Sequence, residues 1–184
     1  MFRIAIALVM LLAASTAMAT EAGWALLRNG GQVVLVNHAL ALGSEDPANL
    51  ELGNCATQSN LSDQGRQQAR SMGALFYARA APIEMVLTSR YCRARETADI
   101  AFRDSPIEAF APLDDLSADP EAAEEQIQAM LERILAYRGS GNLLMVTHPA
   151  NIQAIAGVRP RPAEAVVLSR AGETVGLAGR ITFR

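Results

Sequence analysis

The 184-residue chain predicts an α/β domain, a three-layer sandwich in which a central, mostly parallel sheet carries helices on both faces. Two observations carry this expectation. Short continuous apolar runs, such as "VVLV" at 33–36 and "LLMV" at 143–146, are bounded by turn residues, as strands buried on both faces are. Helical patterns separate these runs, and strands that alternate with helices build parallel sheets.

The first nineteen residues stand apart from that domain. Arg3 precedes the apolar run Ile4 to Ala14 and the small-residue pattern Ala17-Met18-Ala19, which together predict a secretory signal cut after Ala19. The run is shorter than the roughly 18 to 20 apolar residues of a spanning helix, so no stable membrane insertion is expected after cleavage. Residues 20–184 have the length of one domain, and export predicts a periplasmic or secreted location.

Within the domain, Gln32 to Val36 predicts the first strand, and Ala39 to Leu61, rich in Gly, Asn, Ser and Pro, predicts a long loop of the length that often serves function. Ser62 is placed to cap a helix from Asp63 to about Arg79, with Ala69, Met72, Leu75 and Phe76 on one face and Arg66 and Arg70 on the other. Met85 to Ser89 predicts a strand that runs into an arginine-rich helix start. The clearest helix is "DPEAAEEQIQAMLERILAYRG": Asp119 as N-cap, Pro120 at the first helical position, Arg138 in the last turn and Gly139 closing it. Leu143 to Thr147, Ala165 to Ser169 and Gly179 to Phe183 predict the remaining strands.

Loss of Arg3 with the signal takes the formal charge from −3 to −4, which points to neither nucleic acid nor a membrane surface as partner. All sixteen basic residues are arginine. Absence of lysine excludes a Walker-type phosphate loop and Schiff-base chemistry, and leaves the planar guanidinium fork as the cation for oxyanions. Cys55 and Cys92 are expected to pair in an oxidising compartment, the alternative being two buried thiols. With His38 and His148 they match no usual zinc spacing, so no metal is expected. There is no Gly-x-Ser-x-Gly elbow, and neither cysteine has an arginine six residues on.

Chemistry is expected at the carboxyl ends of the strands, where parallel sheets leave a crevice and the following helices direct their N-termini. The chain has two histidines, and both stand there: Asn37-His38 after "VVLV" and Thr147-His148 after "LLMV". A third strand end carries Ser89, Arg90, Arg93 and Arg95. Two imidazoles, guanidinium groups and helix amides together compose a phosphoryl site.

These stretches resemble the histidine phosphatase superfamily, which includes the phosphoglycerate mutases and many acid phosphatases. The matching motifs are Asn37-His38-Ala39, "LSDQGRQQA" from Leu61, "SRYCRARETA" from Ser89 and "VTHPANIQAI" from Val146, in order along nearly the whole mature chain. A Cys-Ala-Thr-Gln stretch, Cys55 to Gln58, with a second cysteine inside the arginine motif, is similar to a secreted branch. The resemblance implies a phosphomonoesterase in which His38 is the nucleophile and Arg93 and His148 hold the equatorial oxygens, with no cofactor and a small phosphorylated substrate. Asp114 would be the leaving-group acid, with Asp115 and Glu164 as alternatives. Asn37 stands where the family has arginine, a change expected to cost about 3 to 4 kcal/mol of transition-state stabilisation. Arg90, beside Ser89, is the residue placed to compensate in substrate binding. The alternative implied by Asn37 is a catalytically inactive phosphate-binding or scaffold protein on the same fold.

Overall fold

A computed structural model describes residues 21–43 and 45–183. The predicted signal at 1–19 lies outside them, and among the described residues no helix is long and apolar enough to cross a membrane. After a first helix, α1 (residues 21–28), the order is β1 (Val33–Asn37), α2 (Asp63–Ala78), β2 (Ile83–Thr88), α3 (Cys92–Ala101), β3 (Ile107–Ala109), α4 (Pro120–Ala136), β4 (Asn142–Thr147), α5 (Pro149–Ala156), β5 (Glu164–Ala171) and β6 (Thr174–Thr182). The six strands form one sheet in the order β3-β2-β4-β1-β5-β6. The first four run parallel, and β5 and β6 are antiparallel to their neighbours.

Successive strand residues face opposite sides of the sheet, and each side has its own core. Val34, Val36, Val86, Leu144 and Val146 pack under α1, α2 and α3 through Trp24, Leu27, Met72, Phe76 and Ala98. Val33, Leu35, Leu143 and Met145 pack under α4 and α5 through Met130, Ile134, Ile152 and Ile155. The continuous apolar runs are therefore two half-faces interleaved, which is why they show no alternation.

Ser62 caps α2, its hydroxyl accepting from the Gly65 N–H at 3.0 Å, and Asp119 caps α4 by accepting from the Glu121 and Ala122 N–H groups. Several expected boundaries move: β2 begins at Ile83 rather than Met85, β5 spans Glu164–Ala171 rather than Ala165 to Ser169, and β6 begins at Thr174 rather than Gly179. Helix α4 ends at Ala136, not at Gly139, because Tyr137 takes extended backbone angles and its hydroxyl donates to the Gly141 carbonyl at 2.8 Å. Gly139 serves space instead: a Cβ there would lie 2.1 Å from the Glu84 carboxylate. Helices α1 and α5 and strand β3 add to the expected elements. The expected disulfide is present, Cys55 to Cys92, with Cα atoms 5.7 Å apart.

Candidate active site

Strands β1 and β4 are paired neighbours, with Asn37 level with Thr147. His38 and His148 each follow by one residue, and the His38 N–H donates to the Thr147 carbonyl at 3.0 Å. Neighbouring strands lie about 4.8 Å apart, so identical exits bring the two side chains together. Their ring centroids are 5.2 Å apart. On the other side of β4, strand β2 is followed by Ser89, whose N–H donates to the Val146 carbonyl at 3.0 Å. Arg93 sits in the first turn of α3, which follows this third strand end.

The hydrogen bonds assign the histidine tautomers. Nδ1–H of His38 donates to the Ala39 carbonyl at 2.8 Å, and Nε2 accepts from Arg93 Nε–H at 3.2 Å. His148 accepts from Arg93 Nη2 on Nδ1 at 3.3 Å, so its Nε2–H donates to Ser89 Oγ at 2.9 Å. The Ser89 hydroxyl then donates to Asp114 Oδ1 at 3.0 Å. Both imidazoles are neutral. Burial, reinforced by the charge of Arg93 and opposed by the Ala39 carbonyl and Asp46, pushes the His38 pKa down to about 4. Burial holds His148 well below the ordinary histidine range, with His38 and Arg93 adding to the effect.

Arg93 is the hub of the site. Beyond the two imidazoles, its Nη1 donates to both carboxylate oxygens of Asp46, at 3.0 and 2.8 Å, and its Nη2 donates to Asp115 at 3.2 Å. Tyr91 lies against the guanidinium, 4.5 Å from ring centroid to Cζ, and packs edge-on to His148. Thr97, one turn along α3, donates to the Arg93 carbonyl and accepts from the Ala39 N–H, tying the His38 segment to the arginine helix.

The remaining expected residues fall around this hub. Asp114 is buried and accepts from Ser89 Oγ, the Arg90 N–H and Arg90 Nε, so both its oxygens are occupied. Arg90 is paired with Asp114, with no hydrogen bond to Asn37, and its side chain is half exposed. Asp115 faces Arg93 with an exposed edge, and burial, partly offset by Arg93, raises its pKa. Asn37 is buried; its Nδ2 donates to the Arg161 carbonyl at 2.9 Å and its Oδ1 has no partner. Glu164 lies on β5, paired with Arg180. Glu96 pairs with Arg66, and Arg95 is exposed.

Asp46 and Tyr91 were not legible as site residues. Tyr91 stands at an unspecified position between two motif residues. Asp46 lies in the aperiodic loop after His38, and only the length of that loop was a signal.

A model of the histidine phosphatase superfamily, branch 1, matches residues 33–119. No curated protein matches the chain by sequence. Solved structures with similar folds include the alpha-ribazole phosphatase from Shigella flexneri, at 15% identity and TM-score 0.63, covering 83% of this chain and 96% of that one. The Rv3214 protein from Mycobacterium tuberculosis gives 16% and 0.63, covering 83% and 98%. The protein histidine phosphatase SixA complexed with tungstate gives 16% and 0.55, covering 82% and 96%. The first histidine and the arginine motif lie inside the span that matches the histidine phosphatase superfamily model, on a fold shared with these proteins.

Proposed function

We infer that the protein is an exported phosphomonoesterase working through a phosphohistidine on His38. The observation that carries this is the orientation of the ring: Nδ1–H is anchored on the Ala39 carbonyl, which leaves the Nε2 lone pair directed at Arg93 and His148. The Nε2 lone pair attacks phosphorus as the ester P–O bond breaks, and the leaving oxygen takes a proton. Water then attacks phosphorus, the P–N bond breaks, and His38 regains its lone pair. Arg93 supplies donors to the oxygens on which charge accumulates, and His148, whose Nε2–H is given to Ser89, donates to them once its Nδ1 takes up a proton.

For the leaving-group proton Asp115 fits better than Asp114. Burial raises the Asp115 pKa, as a proton donor requires, and it keeps an edge open to solvent, whereas Asp114 is occupied by Arg90 and Ser89. The disulfide supports an oxidising compartment and hence export. A small phosphorylated molecule is the substrate class, consistent with a related fold that has taken tungstate, a tetrahedral oxyanion.

Asn37 favours a second reading, that the protein binds phosphate without turnover. Its amide donates to the Arg161 carbonyl and carries no charge, so the guanidinium the family places at this position has no charged substitute there. Incubation with an aryl phosphate separates the two. Turnover abolished in His38→Ala, and raised about a hundredfold or more in Asn37→Arg, is the expected result. Phosphate binding with no turnover in either wild type or Asn37→Arg would establish the binder.

A further inference from the structure

Arg93 has five N–H groups, and the structure accounts for all of them. Nε meets His38, Nη1 meets both oxygens of Asp46, and Nη2 meets Asp115 and His148. A phosphorus atom ready for attack lies about 3 to 3.5 Å from His38 Nε2, and its oxygens need the donors that Asp46 holds. A carboxylate with both oxygens on one guanidinium nitrogen presents the negative charge and the paired acceptors that two phosphate oxygens would bring.

Asp46 is not a surface acid that happens to reach inward. Its side chain is only 16% exposed. Its Oδ1 also accepts from the Ser59 N–H at 2.8 Å, and the Ser59 hydroxyl donates to the Glu45 carbonyl at 2.7 Å. The neighbouring Gln58 accepts from the Cys92 N–H at 2.9 Å, at the start of the arginine helix. Asp46 is thus carried to Arg93 on a segment fastened to the same helix.

We propose that Asp46 is a resident stand-in for substrate phosphate, which a phosphate monoester must displace from Arg93 in order to bind. This rests on the phosphatase reading of the site and adds a determinant of its affinity. With Asp46 on the guanidinium, the resting site offers a dianion no uncompensated positive charge. A simple phosphate therefore binds weakly, and good substrates are those whose remaining groups make additional contacts.

The test is calorimetric titration of the mature, disulfide-bonded protein with orthovanadate and inorganic phosphate. Asp46→Asn keeps the shape and removes the charge; Asp46→Ser is a second, smaller variant that keeps an acceptor for Ser59. Glu45→Gln removes the same charge from an exposed neighbour with no Arg93 contact. The expected result is vanadate binding at least tenfold tighter in both Asp46 variants and within twofold of wild type in Glu45→Gln. Unchanged or weaker binding in whichever Asp46 variants retain the wild-type thermal midpoint would overturn the proposal, as would equal tightening in Glu45→Gln. Its failure is separable from that of the phosphatase reading. Tightened binding without turnover in any variant removes the phosphatase and leaves the stand-in, while turnover that needs His38, with unchanged affinity in Asp46→Asn, does the reverse.

Discussion

His38 is neutral because a charged imidazole would have to sit in a buried pocket beside a permanent cation, and its pKa of about 4 lies below the value of about 6.5 that the unfolded chain would show. Between those values the unfolded chain binds a proton that the folded chain refuses. Stability is therefore full above pH 6.5 and is lost as pH falls from 6.5 toward 4, on the order of 3 kcal/mol from this residue. Denaturant midpoints taken at pH 7, 5.5 and 4.5 should fall along that series, and His38→Gln should lessen the slope while leaving the part due to His148. A wild-type midpoint constant to pH 4.5 would mean that the ring is solvated. The same residue shows what was readable in advance. A histidine one step past a buried apolar run is visible in the letters, and pairing of two such runs places both rings. Asp46 was not visible, because its position comes from hydrogen bonds to Ser59 and Arg93, which no local pattern encodes.

Helix α2 positions the His38 segment from outside. The Ser62 N–H and hydroxyl both donate to the Leu40 carbonyl, and Leu40 N–H donates to Gln68, so the helix start holds the segment two residues past His38. Gly65 permits this approach: a Cβ there would stand 2.1 Å from the Leu40 carbonyl oxygen, a backbone atom that cannot rotate away. Gly65→Ala should gain about 1 kcal/mol of helix propensity and lose more through displaced backbone, a net cost of roughly 1 to 3 kcal/mol. Turnover should fall with it, because the Ala39 carbonyl that aims His38 moves with Leu40. Chemical denaturation with a paired aryl phosphate assay checks both, and a more stable, equally active variant would show that α2 docks without this contact. The helix itself was legible from its cap and period. The end of α4 was not, since Tyr137 leaves the helix to meet Gly141 and that contact is tertiary.

Across the whole molecule, the parallel core delivers three strand ends to one place, and the disulfide closes the one long excursion that the core does not control. Cys55 belongs to the segment after Asp46, and Cys92 begins α3 one residue before Arg93, so the bridge joins the loop to the arginine helix over a sequence separation of 37. The expected pairing came from compartment and count; that it pins the site could not be read without the fold. In the chain-entropy account, closing a loop of this size stabilises by about 4 kcal/mol. For a domain of this length that corresponds to a thermal midpoint lower by roughly 8 to 15 °C once the bridge is cut. Cys55 is exposed and open to reductant, so the comparison needs only thermal unfolding with and without a phosphine, with Cys55→Ser as a control that reductant should not shift further. Because the cores on both faces of the sheet take from this loop only its two ends, Ala39 and Leu61, the reduced protein should keep its secondary structure and unfold cooperatively at the lower midpoint. A midpoint unmoved by reduction would mean that Gln58 and Ser59 hold the loop on α3 unaided, and that the bridge adds nothing to the fold.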